Sequence, residues 1–496
     1  APFSNYEGRS PASGAQSSMS SQSVSPTNLL FLKSAFCLEG AFMSTDDIVQ
    51  WLAEQNQKVT VNVRPCPLRE IQGWHYDETM GRIQHDTGKF FSIDGISVCT
   101  NWNGPAEWQQ PIINQPEVGF LGIITKEFNG VLHFLLQAKI EPGNIHYVQL
   151  SPTLQATRSN YTQVHKGRKP LYLDYFHNAK PSQVLLDQLQ SEQGGRFLRK
   201  RNRNIIIKID EDIQVYDQFT WLTLGQIKAL MQRNNLLNMD TRTVISGIAY
   251  GNYSPAVIGL VDFLARDHEL RPIKHAILKS ALSPVGAKHS IETIISFLTH
   301  LKSMYDLDVE RIPLTSLSDW VFEEMVIRHR DDRYFRVIAV DVEIGNREVV
   351  MWSQPMVEPA QEGLFAFVVK EIDGLLHFAV QAKLECGNHD MVEFAPTVQC
   401  LTGDERQTGS QALPFLDYVL SARPEQILFD TMQSEEGGRF YREQNRYAIV
   451  MADESLPDQL PDRYVWMTLN QLHYFIQFNN YLNIQARSLV AAISFT

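Results

Sequence analysis

The sequence predicts an α+β fold made twice in tandem, each copy a mixed or antiparallel sheet with flanking helices, and a helical connector between the copies. Three observations predict it. The block Gly130 to Glu141 (GVLHFLLQAKIE) recurs as Gly374 to Glu385 (GLLHFAVQAKLE), an offset of 244 residues (374 − 130). A colinear series keeps nearly that offset: Trp74 with Trp320, Trp108-x-Gln-Pro with Trp352-x-Gln-Pro, Pro152-Thr-x-Gln with Pro396-Thr-x-Gln, and Trp221-x-Thr-Leu with Trp466-x-Thr-Leu. Within each copy, apolar runs flanking Asn129-Gly130 or Asp373-Gly374 alternate with capped helical starts, a mixture of strand and helix signals.

A chain of 496 residues is too long for one ordinary hydrophobic core. The period far exceeds a solenoid unit, so each copy is expected to be a whole domain. Residues 1–28 are dominated by Ser, Gly, Pro, Gln and Asn, a composition that buries too little apolar surface to offset ordering entropy and predicts a disordered tail. The first module is placed at 29–250 and the second at 289–496. Between them, 251–288 carries helical apolar spacing at Val257, Leu260, Val261 and Leu264.

The elements follow in order. Ser44 and Ser290 head helices as N-caps. Asn129-Gly130 and Asp373-Gly374 supply the positive φ angles of tight hairpin turns. The segments from Gln190 (QSEQGGRF) and Gln433 (QSEEGGRF) are expected to end a helix, with Gly194 and Gly195 suited to a left-handed cap. A short strand over 205–209 comes next, and Thr223-x-x-Gln226 and Thr468-x-x-Gln471 match the capping box that opens a helix.

Composition excludes several classes of function. A net charge of -12 argues against broad nucleic-acid binding, which calls for a basic surface. No apolar run approaches the roughly 18 residues that span a bilayer, so no membrane partner is expected. The five cysteines form no C-x-x-C pair and the start lacks the order of a secretory signal, which points to a reducing cytoplasm and no thiolate metal site. A dinucleotide fingerprint, H-E-x-x-H and G-x-S-x-G are missing, and six residues separate the glycines of the Gly81 to Lys89 stretch where a phosphate loop has four.

Strand alternation puts His133, Gln137, Lys139 and Glu141 on one face of the second hairpin strand, and the second copy repeats them as His377, Gln381, Lys383 and Glu385. A merely solvated face has no need of the same residue types twice, so this face is a candidate ligand cleft. Arg196, Arg199 and Arg203 follow the first Gly-Gly pair, and arginine forks match a diphosphate. Their counterparts include Arg439 and Arg442, diluted by neighbouring glutamates. Tyr161 and His165 lie in a stretch whose counterpart, 401–411, has neither Tyr nor His, which makes the first copy the expected catalytic half.

The ordered set of paired blocks, with Ser159-Asn-Tyr-Thr in the first half alone, resembles the NDP-hexose 2,3-dehydratases from about residue 30 to the end. The resemblance implies two Nudix-like modules per subunit, a homodimer and a dTDP-4-keto-6-deoxyhexose substrate; because the ketone itself acidifies carbon 3 and no metal or dinucleotide motif is present, no cofactor or metal is expected. One of the two sugar-nucleotide pockets is then a relic of duplication. The expected proton-transfer groups are Lys139, Glu141, Tyr161 and His165. Expected substrate contacts are Trp108, His133, Gln137, Ser151, Thr153, Gln155, Ser159, Asn160, Gln190 and Glu192, with Arg196, Arg199 and Arg203 on the diphosphate. The second pocket is expected to use Trp352, His377, Gln381, Lys383, Glu385, Thr397, Gln399, Gln433, Arg439 and Arg442. The competing expectations are a Nudix-type sugar-nucleotide hydrolase and a non-catalytic sugar-nucleotide binder. Only the Glu-Glu-x-Gly tail near Glu435 survives of the metal-binding box that the hydrolase needs.

Overall fold

The computed structural model describes residues 24–104, 106–158, 169–267, 271–345, 349–401 and 413–496. Ser25 caps a helix over Pro26–Phe36 in a full capping box, so the boundary placed at residue 28 falls inside this helix. Ser44 caps Thr45–Gln57 and Ser290 caps Ile291–Met304, as the sequence predicts. The hairpin turns carry positive φ at Asn129, Gly130, Asp373 and Gly374. They join Gly119–Phe128 to Val131–Ile140 and Gly363–Ile372 to Leu375–Leu384. The connector forms two helices, Pro255–Asp267 and Pro272–Leu282.

Each repeat contributes one seven-stranded sheet. In the first, five strands run in the order Val184–Ser191, Arg201–Lys208, Gly119–Phe128, Val131–Ile140, Phe219–Thr223, and two short ones, Val148–Ser151 and Leu154–Ala156, pair with Val131–Ile140 and Gly119–Phe128. Arg201–Lys208 runs parallel to Gly119–Phe128 and the other pairs run antiparallel, so the sheet is mixed. Both faces of the hairpin strand are apolar over most of its length. Leu132, Phe134 and Leu136 join the central core, whereas Leu135 joins a second cluster with Ile124 and Trp221. The polar face expected from alternation exists only toward its C-terminal end.

The two repeats are not separate blocks. The strand Thr60–Cys66 of the first repeat pairs with Phe335–Gly345 of the second, and Leu307–Ile312 of the second pairs with Ser92–Thr100 of the first. Each small sheet is thus completed by an edge strand from the other repeat, an edge position that also accommodates Pro65. One core contains Leu132, Phe134 and Leu136 together with Phe367, Phe378 and Val380. Between the large sheets, Met239–Ser246 packs beside Ile484–Ala492. Arg242 crosses to the Ser434 carbonyl and the Ser488 hydroxyl, both at 2.8 Å, and Arg487 crosses to the Ser191 carbonyl.

Buried charge is costly unless hydrogen-bonded, and each of these arginines donates both to a carbonyl of its own repeat and to carbonyls or hydroxyls of the other. A chain cut to residues 29–250 would expose half of the shared core and lose the partner strand of Ser92–Thr100. Such a piece is expected to give no cooperative unfolding transition by circular dichroism. A sharp, two-state melt from it would disprove this mutual dependence.

Candidate active site

The segments that begin at Gln190 and Gln433 end strands, Val184–Ser191 and Ile427–Ser434, and not helices. Neither Gly194 nor Gly195 has positive φ. Their smallness serves a close approach between repeats: a Cβ on Gly194 would lie 2.2 Å from Asn388 Oδ1 and 2.9 Å from Glu385 Cβ, and one on Gly437 would lie 2.2 Å from Asn144 Oδ1 and 2.9 Å from Glu141 Cβ. Each turn is therefore inserted against the carboxylate strand of the opposite repeat. The sequence pattern could show a turn there, but not that it crosses.

This crossing builds a cavity of about 400 Å³ whose wall comes from both repeats. Lys139, Glu141, Gln155, Glu192, Lys200 and Asp240 come from the first, and Trp352, Gln354, Glu436 and Arg439 from the second. Three carboxyl groups, of Glu141, Asp240 and Glu436, present oxygens that all lie within 4.8 Å of one another. Glu141 is oriented by amide donors: Asn238 Nδ2 reaches Oε1 at 2.9 Å, Gln155 Nε2 reaches Oε2 at 3.2 Å, and Asn144 Nδ2 stands 3.3 Å from Oε1. Asp240 sits at the start of Met239–Ser246, a helix capped by that same Asn238. The cap thus ties two of the three carboxyls to one backbone turn.

Burial disfavours charge on such neighbours. It raises the Asp240 carboxyl well above the ordinary range, helped by Glu436, Glu141 and Glu192. Burial, with Glu141 as the next contributor, pushes Glu436 up to about 8. Glu192, 5% exposed, is raised by burial while Lys200 and Arg487 oppose the rise. Burial lowers the Lys200 ammonium to about 8. Asn202 donates to Glu192 Oε1 at 2.6 Å, and the other oxygen has no hydrogen-bond partner among the described residues. Such a pocket can hold one carboxyl protonated beside another that accepts, the arrangement that proton transfer at a substrate carbon and oxygen requires.

The expected residues divide sharply. Lys139, Glu141, Gln155 and Glu192 meet in the cavity, joined by Arg439 and Trp352, which the sequence assigned to the second pocket. Arg196 lies on the far side instead: its charge is felt among Glu443, Glu385 and Glu435, and it stacks 4.2 Å from the Phe335 ring centroid. Trp108 donates to Gln110, whose amide holds the Gly195 carbonyl at 3.1 Å, whereas Gln354 holds the Gly438 carbonyl at 2.7 Å beside the cavity. The Trp-x-Gln-Pro block of each repeat therefore serves the other repeat's site. Sequence spacing within a repeat carries no signal for this exchange, which assigned Arg196 and Trp108 to the wrong side.

Several other candidates are structural. His133 and His377 are buried at the opposite end of their strands, where each accepts from a backbone N–H, of Ala41 and Lys288, at 3.0 Å. Thr153 and Thr397 accept from the Ile124 and Val368 N–H groups and donate to strand carbonyls. Gln190 and Gln433 clamp the Ile476 and Met231 carbonyls across the repeats. Ser151 is buried and donates to Pro152 O, Gln137 is half-buried in the strand, and Gln381 donates to the Pro396 carbonyl. Arg203 forms an exposed two-point pair with Asp187, and Arg199 and Arg442 are exposed, with Arg442 donating to the Tyr147 hydroxyl. Ser159, Asn160, Tyr161 and His165 lie outside the described residues. Asp240, Lys200 and Glu436 were not among the expected site residues: Asp240 and Lys200 belong to the same repeat as Glu141 but are distant from it in sequence, and Glu436 enters only through the crossing turn.

The matching place in the second repeat keeps Lys383, Glu385 and Gln399, with Asn483 donating to Glu385 at 3.4 Å and to Gln399 at 2.7 Å. By the repeat offsets, Gln485 and Gln193 stand where the first site has Asp240 and Glu436, and Glu443 stands where it has Lys200. Burial raises Glu435, and raises Glu443 to about 7. Two of the three clustered carboxyls have thus become amides.

A paired-repeat fold with one three-carboxyl pocket among the described residues, sited where the two halves exchange turns, has the chemistry of an enzyme that moves protons on a polar substrate. The chain belongs to the NDP-hexose 2,3-dehydratase family, whose model matches twice, at residues 45–248 and 291–493. It is 43% identical over 464 residues to the dTDP-4-dehydro-6-deoxy-alpha-D-glucopyranose 2,3-dehydratase of Saccharopolyspora spinosa, covering 93% of this chain and 94% of that protein. Enzymes bearing the same name are 40% identical in Amycolatopsis orientalis (93% and 92% covered) and 41% identical in Streptomyces violaceoruber (89% and 95% covered). No helix among the described residues is long and apolar enough to cross a membrane.

Proposed function

We propose that the cavity framed by Glu141, Asp240 and Glu436 removes water across carbons 2 and 3 of a dTDP-4-keto-6-deoxyhexose. The observation that carries the reading is the three-carboxyl cluster, complete at one of the two equivalent sites and reduced to a single acid at the other. The ketone at carbon 4 acidifies the carbon-3 hydrogen. Glu141, aimed by Asn238 and Gln155, takes that proton, and the electron pair passes into an enolate. Its return forms the C2–C3 double bond and breaks the C2–O bond. Glu436, held protonated near neutral pH by its burial, gives the departing hydroxide its proton. Lys139, whose charge acts on Asp240, binds the sugar hydroxyls with it. The first product is an enol, which relaxes to a 3,4-diketo-2,6-dideoxy sugar nucleotide.

In this reading the module is Nudix-like, supported by the mixed sheet with a parallel pair at its middle and helices against it. The working unit is a homodimer in the cytoplasm, a setting supported by five free cysteines. The carboxyl cluster also invites the competing reading of metal-dependent diphosphate hydrolysis. One assay separates them. Mass spectrometry after incubation with the keto sugar nucleotide is expected to show an intact diphosphate one water lighter, with turnover unaffected by EDTA. Release of dTMP, lost on chelation and restored by magnesium, would replace dehydration with hydrolysis; unchanged substrate would leave a binding protein.

A further inference from the structure

Resting on that reading, we infer that Arg439, carried by the second repeat, is the group that receives the negative charge developing on the carbon-4 oxygen in the first repeat's pocket. The guanidinium is held on three sides. It stacks 3.9 Å from the Phe91 ring centroid, Nε donates to Gln115 Oε1 at 3.2 Å, and Nη1 donates to the Gly438 carbonyl at 2.9 Å. Nη2 makes no hydrogen bond among the described residues, and the side chain lines the cavity that holds the carboxyl cluster. Its electrostatic neighbours are Glu436, Glu141, Asp240 and Glu192. An arginine already fixed by its surroundings meets a nascent oxyanion without reorganising, which is where preorganised charge acts most strongly.

The other repeat supplies an internal comparison. Arg196 also stacks on a phenylalanine and also donates to the carbonyl before it, Gly195. At the repeat offset, however, Pro359 stands where Gln115 would be, and Arg196 Nε is buried without a partner. The third tether exists only for Arg439. The structure therefore assigns Gln115 as the positioning residue that aims this guanidinium, and the pocket with the aimed arginine is the pocket with the complete carboxyl set.

The step balances as follows. Glu141 gains the carbon-3 proton, and the C–H pair becomes the C3–C4 π bond while the carbonyl pair moves onto oxygen 4, opposite Nη2. When that pair returns, the C2–C3 π bond forms and hydroxide leaves with the Glu436 proton. Glu141 then returns its proton to carbon 2 while the enol proton on oxygen 3 passes back to Glu436, so both carboxyls are restored and the net change is loss of one water.

The test uses the whole chain and the keto sugar nucleotide. Arg439→Gln is expected to lower kcat by about 100- to 1,000-fold with KM little changed and calorimetric dTDP affinity retained. Gln115→Leu, which leaves the arginine present but unaimed, is expected to lower kcat roughly ten- to hundredfold. Methylguanidine added to Arg439→Ala is expected to restore turnover in a saturable way, which a purely structural role would not allow. Raised KM at near-normal kcat in Arg439→Gln would overturn the inference by making Arg439 a ground-state anchor. If Arg439→Gln no longer binds dTDP, Gln115→Leu decides: normal kcat there overturns the inference. Failure of the wild-type chain to dehydrate the sugar would instead overturn the reaction proposed above.

Discussion

Glu141→Gln is expected to reduce turnover by about two to four orders of magnitude, the usual loss when a positioned base is removed. The amide keeps the size of the carboxylate but cannot take the carbon-3 proton. It also sets its own N–H₂ among donors, since Asn238, Gln155 and Asn144 all point N–H groups at this position. Exchange of the carbon-3 hydrogen with deuterated solvent should vanish along with turnover, while dTDP affinity stays. The matching change, Glu385→Gln, should cost far less, because Gln193 and Gln485 leave that site without the two acids that cooperate with Glu141. A larger loss in Glu385→Gln than in Glu141→Gln would move the chemistry to the second repeat.

The second large effect concerns Glu436 and pH. Its carboxyl is pushed up to about 8 by burial and by Glu141, so the acid form predominates below that value and is lost as pH rises through it. As a general acid it must enter protonated; kcat is therefore expected to fall on the alkaline side, near pH 8. Because Asp240 and Glu141 share the site, this limb is a property of the cluster. Glu436→Gln is expected to remove the limb and lower kcat by about two to four orders of magnitude. A wild-type profile flat from pH 6 to 9, or a Glu436→Gln enzyme of ordinary rate with the same limb, would remove Glu436 from the acid's role.

Much of the secondary structure was legible because its signals are local. The Asn-Gly and Asp-Gly turns, the serine caps and the Thr-x-x-Gln boxes each depend on a few adjacent residues, and all stand where the sequence put them. Two readings failed where a local motif had more than one physical use. Gly-Gly after Gln-Ser-Glu can cap a helix, but here it lets a turn pass against Glu385 or Glu141 of the opposite repeat. Alternation along Val131–Ile140 suggested a polar face, yet a second apolar core under Leu135 covers most of it, and His133 is consumed in holding the Ala41 backbone.

By itself the sequence determined that the protein is a duplication, that each half mixes sheet and helix, which family it belongs to, and that Lys139 and Glu141 share one side of the hairpin strand. Those facts reside in repeated blocks and short-range spacing. Only the tertiary structure decided that the halves exchange strands and turns, so that Glu436, Trp352 and Arg439 complete the first repeat's pocket while Arg196 and Trp108 face the second. Two homologous halves present the same residues twice, and a sequence read along one dimension assigns each residue to its own copy. Which copy's cavity a side chain enters is set by burial of one shared apolar core across the repeat boundary, with Phe134 and Leu136 packed into the same cluster as Phe367 and Phe378.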